Sequence, residues 1–290
     1  MEALRAAIEK QVIGLTGLAL GGIDFENPAG DPGLFGPQSV IWQVHCDFTS
    51  MLCGGVSALL LQMLHPLALA GVWDHSNFRE DMLGRLRRTS QFVSVTTFGP
   101  TAEAERLIAK VRAIHLQVTG VSNDGRPYAA SDPDLLTWVH VVESSCFLAS
   151  HLRYRNPHLS PELQDRYYQE TARVAAALGA RDIPTSCAAV ADYLQRMRPQ
   201  LVCDERTREV ARILLAAPAP SALARPIGWL VTQAGIDLLP DWAQQQFDFY
   251  PGTLRRRLVR VGAGGVGKVL RASMRNGSYQ RAVRRINKPA

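Results

Sequence analysis

Several things are missing from this sequence, and each absence narrows what the chain can be. No stretch holds the roughly 18 uninterrupted apolar residues that a membrane-spanning helix needs. The first residues, MEALRAAIEKQVIGLTGLALGG, have an apolar tendency that Glu9 and Lys10 divide, which makes a poor secretory signal. A cytoplasmic protein is therefore expected. Cysteine is sparse and unpatterned: Cys46, Cys53, Cys146, Cys187 and Cys203 make an odd count with no CxxC pair and no His–Cys zinc spacing. That argues against a disulfide framework or a structural zinc site and suits buried thiols in a reducing compartment. Acidic residues vanish near the end: from Leu254 onward there are 11 Lys or Arg and no Asp or Glu, while the rest of the chain carries 21 basic against 26 acidic side chains. The net charge of +6 is thus a property of the tail.

What is present reads as helix. A hydrophobic content of 47% with 20% charged residues is ordinary for a globular protein, and 290 residues suffice for one large helical domain. Residues 24–37, rich in Pro, Gly and Asp, form an irregular loop. The pattern turns helical at Ser39, and GGVSALLLQML (54–64) is apolar enough for a central buried helix. Pro66, directly after His65, breaks it, and Asp74-His75-Ser76 offers a cap for the next element. Between Pro100 and Gly120, Thr101 can cap and Glu103 and Glu105 fall in the first turn. Leu107, Ile108, Val111, Ile114 and Val118 then recur at helical spacing, with Gly120 as the stop. NDGRPY (123–128) is a turn, and further helices start at SDPDLL (131–136) and SPE (160–162) and cover parts of 183–197, 207–217 and 225–239. VSVTTF (93–98) is the best strand candidate, but its context is helical. The expectation is an all-α chain: an N-terminal helix and loop over 1–37, one domain over 38–250, and a basic tail over 251–290.

Two conspicuous motifs lose their usual meaning on inspection. The cluster Gly262-Ala-Gly264-Gly-Val-Gly267-Lys268 satisfies GxGxxG and nearly a P-loop. Val269 stands where the P-loop hydroxyl belongs, and no acidic residue follows to hold a ribose. A flexible hinge before the tail is expected instead. In the tail, Arg271, Arg275, Arg281, Arg284 and Arg285 have rough helical spacing, with Val269, Leu270, Met274, Val283 and Ile286 supplying apolar contacts. Docking on the carboxylates of the body is the first expectation. Weak contact with an anionic membrane surface is the other use, and no specific nucleic acid is expected.

Four groups of residues carry chemistry. His115 lies on the apolar stripe formed with Ile108, Val111 and Val118, where an imidazole needs a partner; it is either a hydrogen-bonded core histidine or an axial ligand for haem iron. Arg85, Arg88 and Thr89 stand at i, i+3 and i+4 and share a helix face, either as a solvated basic face or as donors to propionates or bound oxygen. His140 and Glu143, at i and i+3 among Leu136, Val139 and Phe147, suit acid–base work or a structural hydrogen bond. His65 caps a helix or lines a pocket.

The succession LLLQMLHP, DHSNF, GRLRRT, FG (98–99), VRAIHLQVTG and NDGRPYAASDPDLLTWVH resembles the MpaB/rubber-oxygenase family, which includes latex clearing protein, over roughly residues 38–240. The resemblance implies a single globin-like multi-helix domain enclosing a b-type haem. It also implies O₂ or peroxide chemistry on a small apolar, often isoprenoid, substrate. It makes His115 the iron ligand and matches Arg85, Arg88 and Thr89 to a block that positions propionates or polarises oxygen. His65 and His140 would line the pocket. Arg88 stands where rubber oxygenases carry a lysine, and a guanidinium cannot lose its proton to become a neutral ligand. The position of their general base falls near Leu69, with no carboxylate close by, which leaves Glu143 as the replacement base. The resulting expectation is a haem-b oxidoreductase, an oxygenase or oxidase, with a non-catalytic haem-binding or sensing protein as the alternative.

Overall fold

A computed structural model describes residues 2–15, 17–219 and 221–288. Apart from one two-stranded hairpin, the regular elements among these residues are helices. In chain order they are α1 (Glu2–Leu15), α2 (Val40–His45), α3 (Phe48–Gln62), α4 (Pro66–His75), α5 (Met82–Phe98) and α6 (Thr101–His115). The hairpin β1 (Thr119–Val121) and β2 (Pro127–Ala129) follows, then α7 (Pro133–Tyr154), α8 (Pro161–Leu178), α9 (Cys187–Met197) and α10 (Glu205–Leu215). The chain closes with α11 (Arg225–Leu238), α12 (Asp241–Gln246), α13 (Thr253–Ser273) and α14 (Ser278–Asn287).

Side-chain caps set many of the helix starts. Asp47, Asp81, Asp132, Ser160, Ser186 and Asp204 each accept a first-turn backbone N–H, satisfying donors the helix itself leaves orphaned. The cap of α5 is therefore Asp81, whereas Ser76, expected to open that helix, closes α4. Asp81 wins because it stands three residues before the Gly84 N–H it accepts, at 2.8 Å. His65 does cap α4, its Nδ1 accepting from the Leu67 N–H at 3.3 Å. Pro66 at the first position of α4 bends α3 and α4 by 103°.

The centre of the fold is the pairing of α3 with α7. Ser150 donates to the Ser50 carbonyl at 2.7 Å, Cys146 to the Ser57 hydroxyl at 3.7 Å and the Trp138 indole to the Gln62 carbonyl at 3.3 Å. Those three rungs run in opposite directions along the two helices, so the pair is antiparallel. Gly54 permits the approach: a Cβ there would stand 2.9 Å from the Cys146 carbonyl oxygen and 3.1 Å from the Phe147 Cα. One large apolar core surrounds this pair with α4, α10, α11 and α13, and a second joins α2, α5, α8 and α14. In the second, Trp42 meets Phe98 and Tyr279 edge-on, with ring centroids 5.2 and 5.9 Å apart.

VSVTTF follows its helical context and lies inside α5, whose end is buried all round at Val95, Thr96, Thr97 and Phe98. Two local expectations need correction. The helix expected to run to Gly120 ends at His115, and Gly120 instead pairs with Tyr128 in the hairpin. The NDG turn brings Tyr128 back over Gly120, where a Cβ would clash with the phenol. The glycine cluster 262–268 is no hinge but lies within the continuous helix α13. Gly262 faces Leu230 of α11, 3.1 Å from a would-be Cβ, so the missing side chain brings the two helices together. The tail folds as α13 and α14, and the fully buried Arg285 of α14 donates to the carbonyls of Phe25, Asp31 and Gly99. No single helix among the described residues is long and apolar enough to cross a membrane; the bent pair α3 and α4 would pass on composition, but it is largely buried in the core.

Two glycine substitutions test this packing. Gly54→Val should cost about 1–3 kcal/mol through overpacking. Gly264→Ala, which meets nothing within 4 Å, should instead stabilise by about 0.5–1 kcal/mol through helix propensity. Denaturant unfolding of the two variants checks both signs.

Candidate active site

The chemically equipped cavity lies between α2, α5, α7 and α8 and has a volume of about 50 Å³. One face of α5 supplies Phe92, Val93, Thr96 and Thr97, which recur at i, i+1, i+4 and i+5. From α7, the helix held by α3, come His140, Glu143, Ser144 and Phe147, while Tyr167, Thr171 and Val174 come from α8. Phe147 also packs on Gly54, so the contact that seats α7 on α3 sets the cavity wall.

Glu143 and His140 keep partial exposure because they open onto this void, although both lie deep in the protein. The Glu143 carboxyl has no hydrogen-bond or ion-pair partner among the described residues. Burial alone pushes it up to about 7. Burial alone pushes His140 down to about 4. The two form no ion pair, and neither shift draws on the other. Near neutral pH the site therefore holds a neutral imidazole and a carboxyl poised to take or give a proton.

Beside them is a buried chain that the sequence did not reveal. His45 of α2 is hydrogen-bonded through Nδ1 to the Thr97 hydroxyl and through Nε2 to the Tyr167 hydroxyl, both at 2.9 Å. Desolvation, with the charge of His151 second, pushes His45 down to about 3, so one ring nitrogen donates and the other accepts. Burial, with Glu143 among the lesser causes, raises the Tyr167 phenol well above its ordinary value. An imidazole in the apolar run VIWQVH was the available signal for His45, but its partners lie 52 and 122 residues away.

The remaining candidates gather elsewhere. His115 is half-buried at the end of α6, and its Nδ1 is buried with no hydrogen-bond partner. Burial holds the ring below its ordinary range. Arg85 is half-buried and donates to the Ser76 hydroxyl at 2.7 Å. No carboxylate pairs with it among the described residues, and desolvation, with Arg88 second, lowers it to about 10. At the end of α4, Ser76 holds Arg85, and His75 bonds the carbonyl of Thr119, four residues beyond His115, at 3.1 Å. His115 and Arg85 are accordingly the groups available to a cofactor. Neither lines the cavity that contains Glu143 and His140.

Three expected site residues are placed differently. Arg88 and Thr89 share the face of Arg85 but are exposed, and Arg88 pairs with Asp81 at 3.4 Å. The reason is their position in the first turns of α5, close to the capping Asp81. His65 is buried away from the cavity, with one nitrogen committed to the α4 cap and its ring 5.8 Å from that of Trp138. A wider groove of about 650 Å³ near Arg198 and Trp242 is lined by no carboxylate, thiol or imidazole, so it lacks acid–base chemistry.

A helical domain with a carboxyl and an imidazole at one small cavity is what these features define. The family model described as ER-bound oxygenase mpaB/B'/Rubber oxygenase, catalytic domain, matches residues 42–272, and the chain belongs to this oxygenase family. The matched stretch reaches into α13, beyond the start of the basic tail. Neither a curated protein nor a solved structure matches the chain.

The raised Glu143 carboxyl has a signature in stability. Between the ordinary value of 4.5 and about 7, the unfolded chain gives up a proton that the folded protein keeps, so stability falls as pH rises. Glu143→Gln should match the parent near pH 4 and exceed it by about 3 kcal/mol near pH 8. Chemical denaturation at the two pH values measures the difference.

Proposed function

We propose that this chain is a haem-b-dependent oxidoreductase, an oxygenase or oxidase, that uses O₂ or peroxide to oxidise a small apolar substrate. The observation that carries this reading is the buried, unpartnered Nδ1 of His115 in a member of an oxygenase family. An orphaned polar atom in the interior is costly, and at His115 a role as ligand to a group other than protein would account for it. The donor set fits haem b: His115 offers an imidazole for iron, and Arg85 offers a guanidinium without a carboxylate partner for a propionate. Arg88 and Thr89 would add contacts at the exposed rim. The present cavity, about 50 Å³, is far below the roughly 300–1,000 Å³ of ligand pockets and is not lined by His115 or Arg85, so loading requires the helices between them and the cavity to part. When bound, the haem supplies the redox chemistry with O₂ or peroxide.

The chain's own contribution follows from the cavity. Phe92, Val93, Phe147 and Val174 exclude water and favour an apolar substrate. The Glu143 carboxylate takes a proton from a substrate carbon or hydroxyl, and the same carboxyl returns it, a role its value of about 7 suits. The neutral His140 accepts a hydrogen bond without adding charge. His45, held at both nitrogens, keeps the Tyr167 hydroxyl oriented toward the space beside Glu143. Five unpaired thiols suit a cytoplasmic setting.

The absorption spectrum after expression with ample haem tests the proposal. A strong Soret band in the parent should be lost or shifted in His115→Ala, and Arg85→Leu should weaken haem retention by about tenfold or more. Glu143→Gln should retain the band and lower turnover of an accepted substrate by about 10²–10⁴-fold. A colourless parent that takes up no added hemin would overturn the reading.

A further inference from the structure

Large exposed apolar side chains are concentrated on one surface. Tyr250, Leu254, Leu258, Val261 and Val269 fall within twenty residues at α13, with exposures of 54–76%. Leu254, Leu258 and Val261 follow one another at four and three residues, so they form a single stripe along the helix. Leu230 of α11 packs against Gly262, and Trp229, next to it in the chain, is 55% exposed. The opposite side of α13 is also apolar: Val259, Ala263, Gly267 and Leu270 are buried. A helix apolar on both sides is normally buried on both.

Charge divides the helix in the same way. Arg260 pairs with the buried Asp237 at 2.7 Å and Arg271 with the buried Asp47 at 2.5 Å. These ion pairs fasten the helix to α11 and α3. On the outer side, Arg257 and Lys268 have no hydrogen-bond or ion-pair partner among the described residues, and Arg255 reaches only the Gln233 amide at 2.6 Å. The stripe of Leu254, Leu258 and Val261 is thus flanked by unneutralised cations, with no carboxylate anywhere on α13.

We infer that this face of α13, together with Trp229 and Tyr250, binds the surface of an anionic phospholipid bilayer. The helix would lie in the plane of the interface, its outer apolar side chains at the acyl boundary. The long stems of Arg255, Arg257 and Lys268 would carry their charges up to the phosphates, and the indole and phenol suit the headgroup level. Other occupants fit less well. A second copy docked about a two-fold axis would bring Arg257 and Lys268 against like charges. A nucleic acid would neutralise the cations but leave the apolar stripe facing water.

Flotation of the full chain with vesicles tests this. Phosphatidylcholine vesicles containing about a third phosphatidylserine should bind the protein, pure phosphatidylcholine far less, and added salt should weaken binding. Arg257→Gln and Lys268→Gln should each weaken it about fivefold. The double variant Leu258→Asp/Val261→Asp should abolish it while leaving the thermal transition unchanged, since both side chains are exposed. A vesicle-induced blue shift of tryptophan fluorescence should disappear in Trp229→Phe. Undiminished vesicle binding by the double variant, or no preference for anionic lipid, would overturn the proposal. So would a dimer in size-exclusion chromatography that the double variant dissociates, or salt-sensitive duplex DNA binding without vesicle binding. Vesicle binding needs no haem, so its failure and that of the pocket reading are separate results.

Discussion

The antiparallel seating of α7 on α3 is the constraint from which the rest of the pocket follows. It depends on a backbone approach that Gly54 alone makes possible, with Cys146 and Phe147 pressed into the missing side chain's place. The Ser50–Ser150 and Gln62–Trp138 hydrogen bonds fix its register, because a slide along either helix would leave buried donors unpaired. With register and rotation set, His140, Glu143 and Phe147 can face only α5 and α8. The position of the cavity's carboxyl is thus a consequence of a helix–helix contact on the other side of α7.

Charge is distributed by the same economy. The buried carboxylates Asp47 and Asp237 are each met by arginines of α13, and Arg285 is surrounded by three carbonyls. Three groups capable of chemistry are not satisfied in this way. Glu143 has no partner and is held near neutrality by burial, the His115 Nδ1 has none, and Arg85 has only a hydroxyl. Buried polar atoms of Trp42, Thr49, Tyr154 and Gln246 also lack partners among the described residues, so it is the chemistry of these three groups that singles them out. The three fall into two sets joined along α5, the cavity at one end and the α4–α6 junction at the other. A ligand that needed both would have to part the helices between them.

Much of the fold was legible before any coordinates. Ser160 and the SDPDLL start mark real helix boundaries because capping is local, decided by residues within one turn of each other. The apolar run 54–64 identified the central helix because so few polar atoms leave it nowhere else to go. The errors share a cause. Gly120, Gly262 and Gly264 were read as stops and hinges from their intrinsic freedom. The folded chain uses Gly120 and Gly262 for closeness instead, one under Tyr128 and the other against Leu230.

By itself, the sequence determined the all-α class, some of the helix starts, the family and the identities of His115, Arg85, His140 and Glu143 as chemical candidates, since these rest on residue type, short spacing and block order. Tertiary structure alone decided which of them share a space. It put Glu143 and His140 in one cavity with His45, Thr97 and Tyr167, left Arg88 and Thr89 at the surface and gave His65 to a cap. It also paired some arginines of the tail while leaving Arg257 and Lys268 facing outward. The physical reason is that burial and pairing depend on contacts between residues far apart in the chain, such as the 122 residues between His45 and Tyr167. Periodicity within a single helix carries no information about which distant helix will cover it.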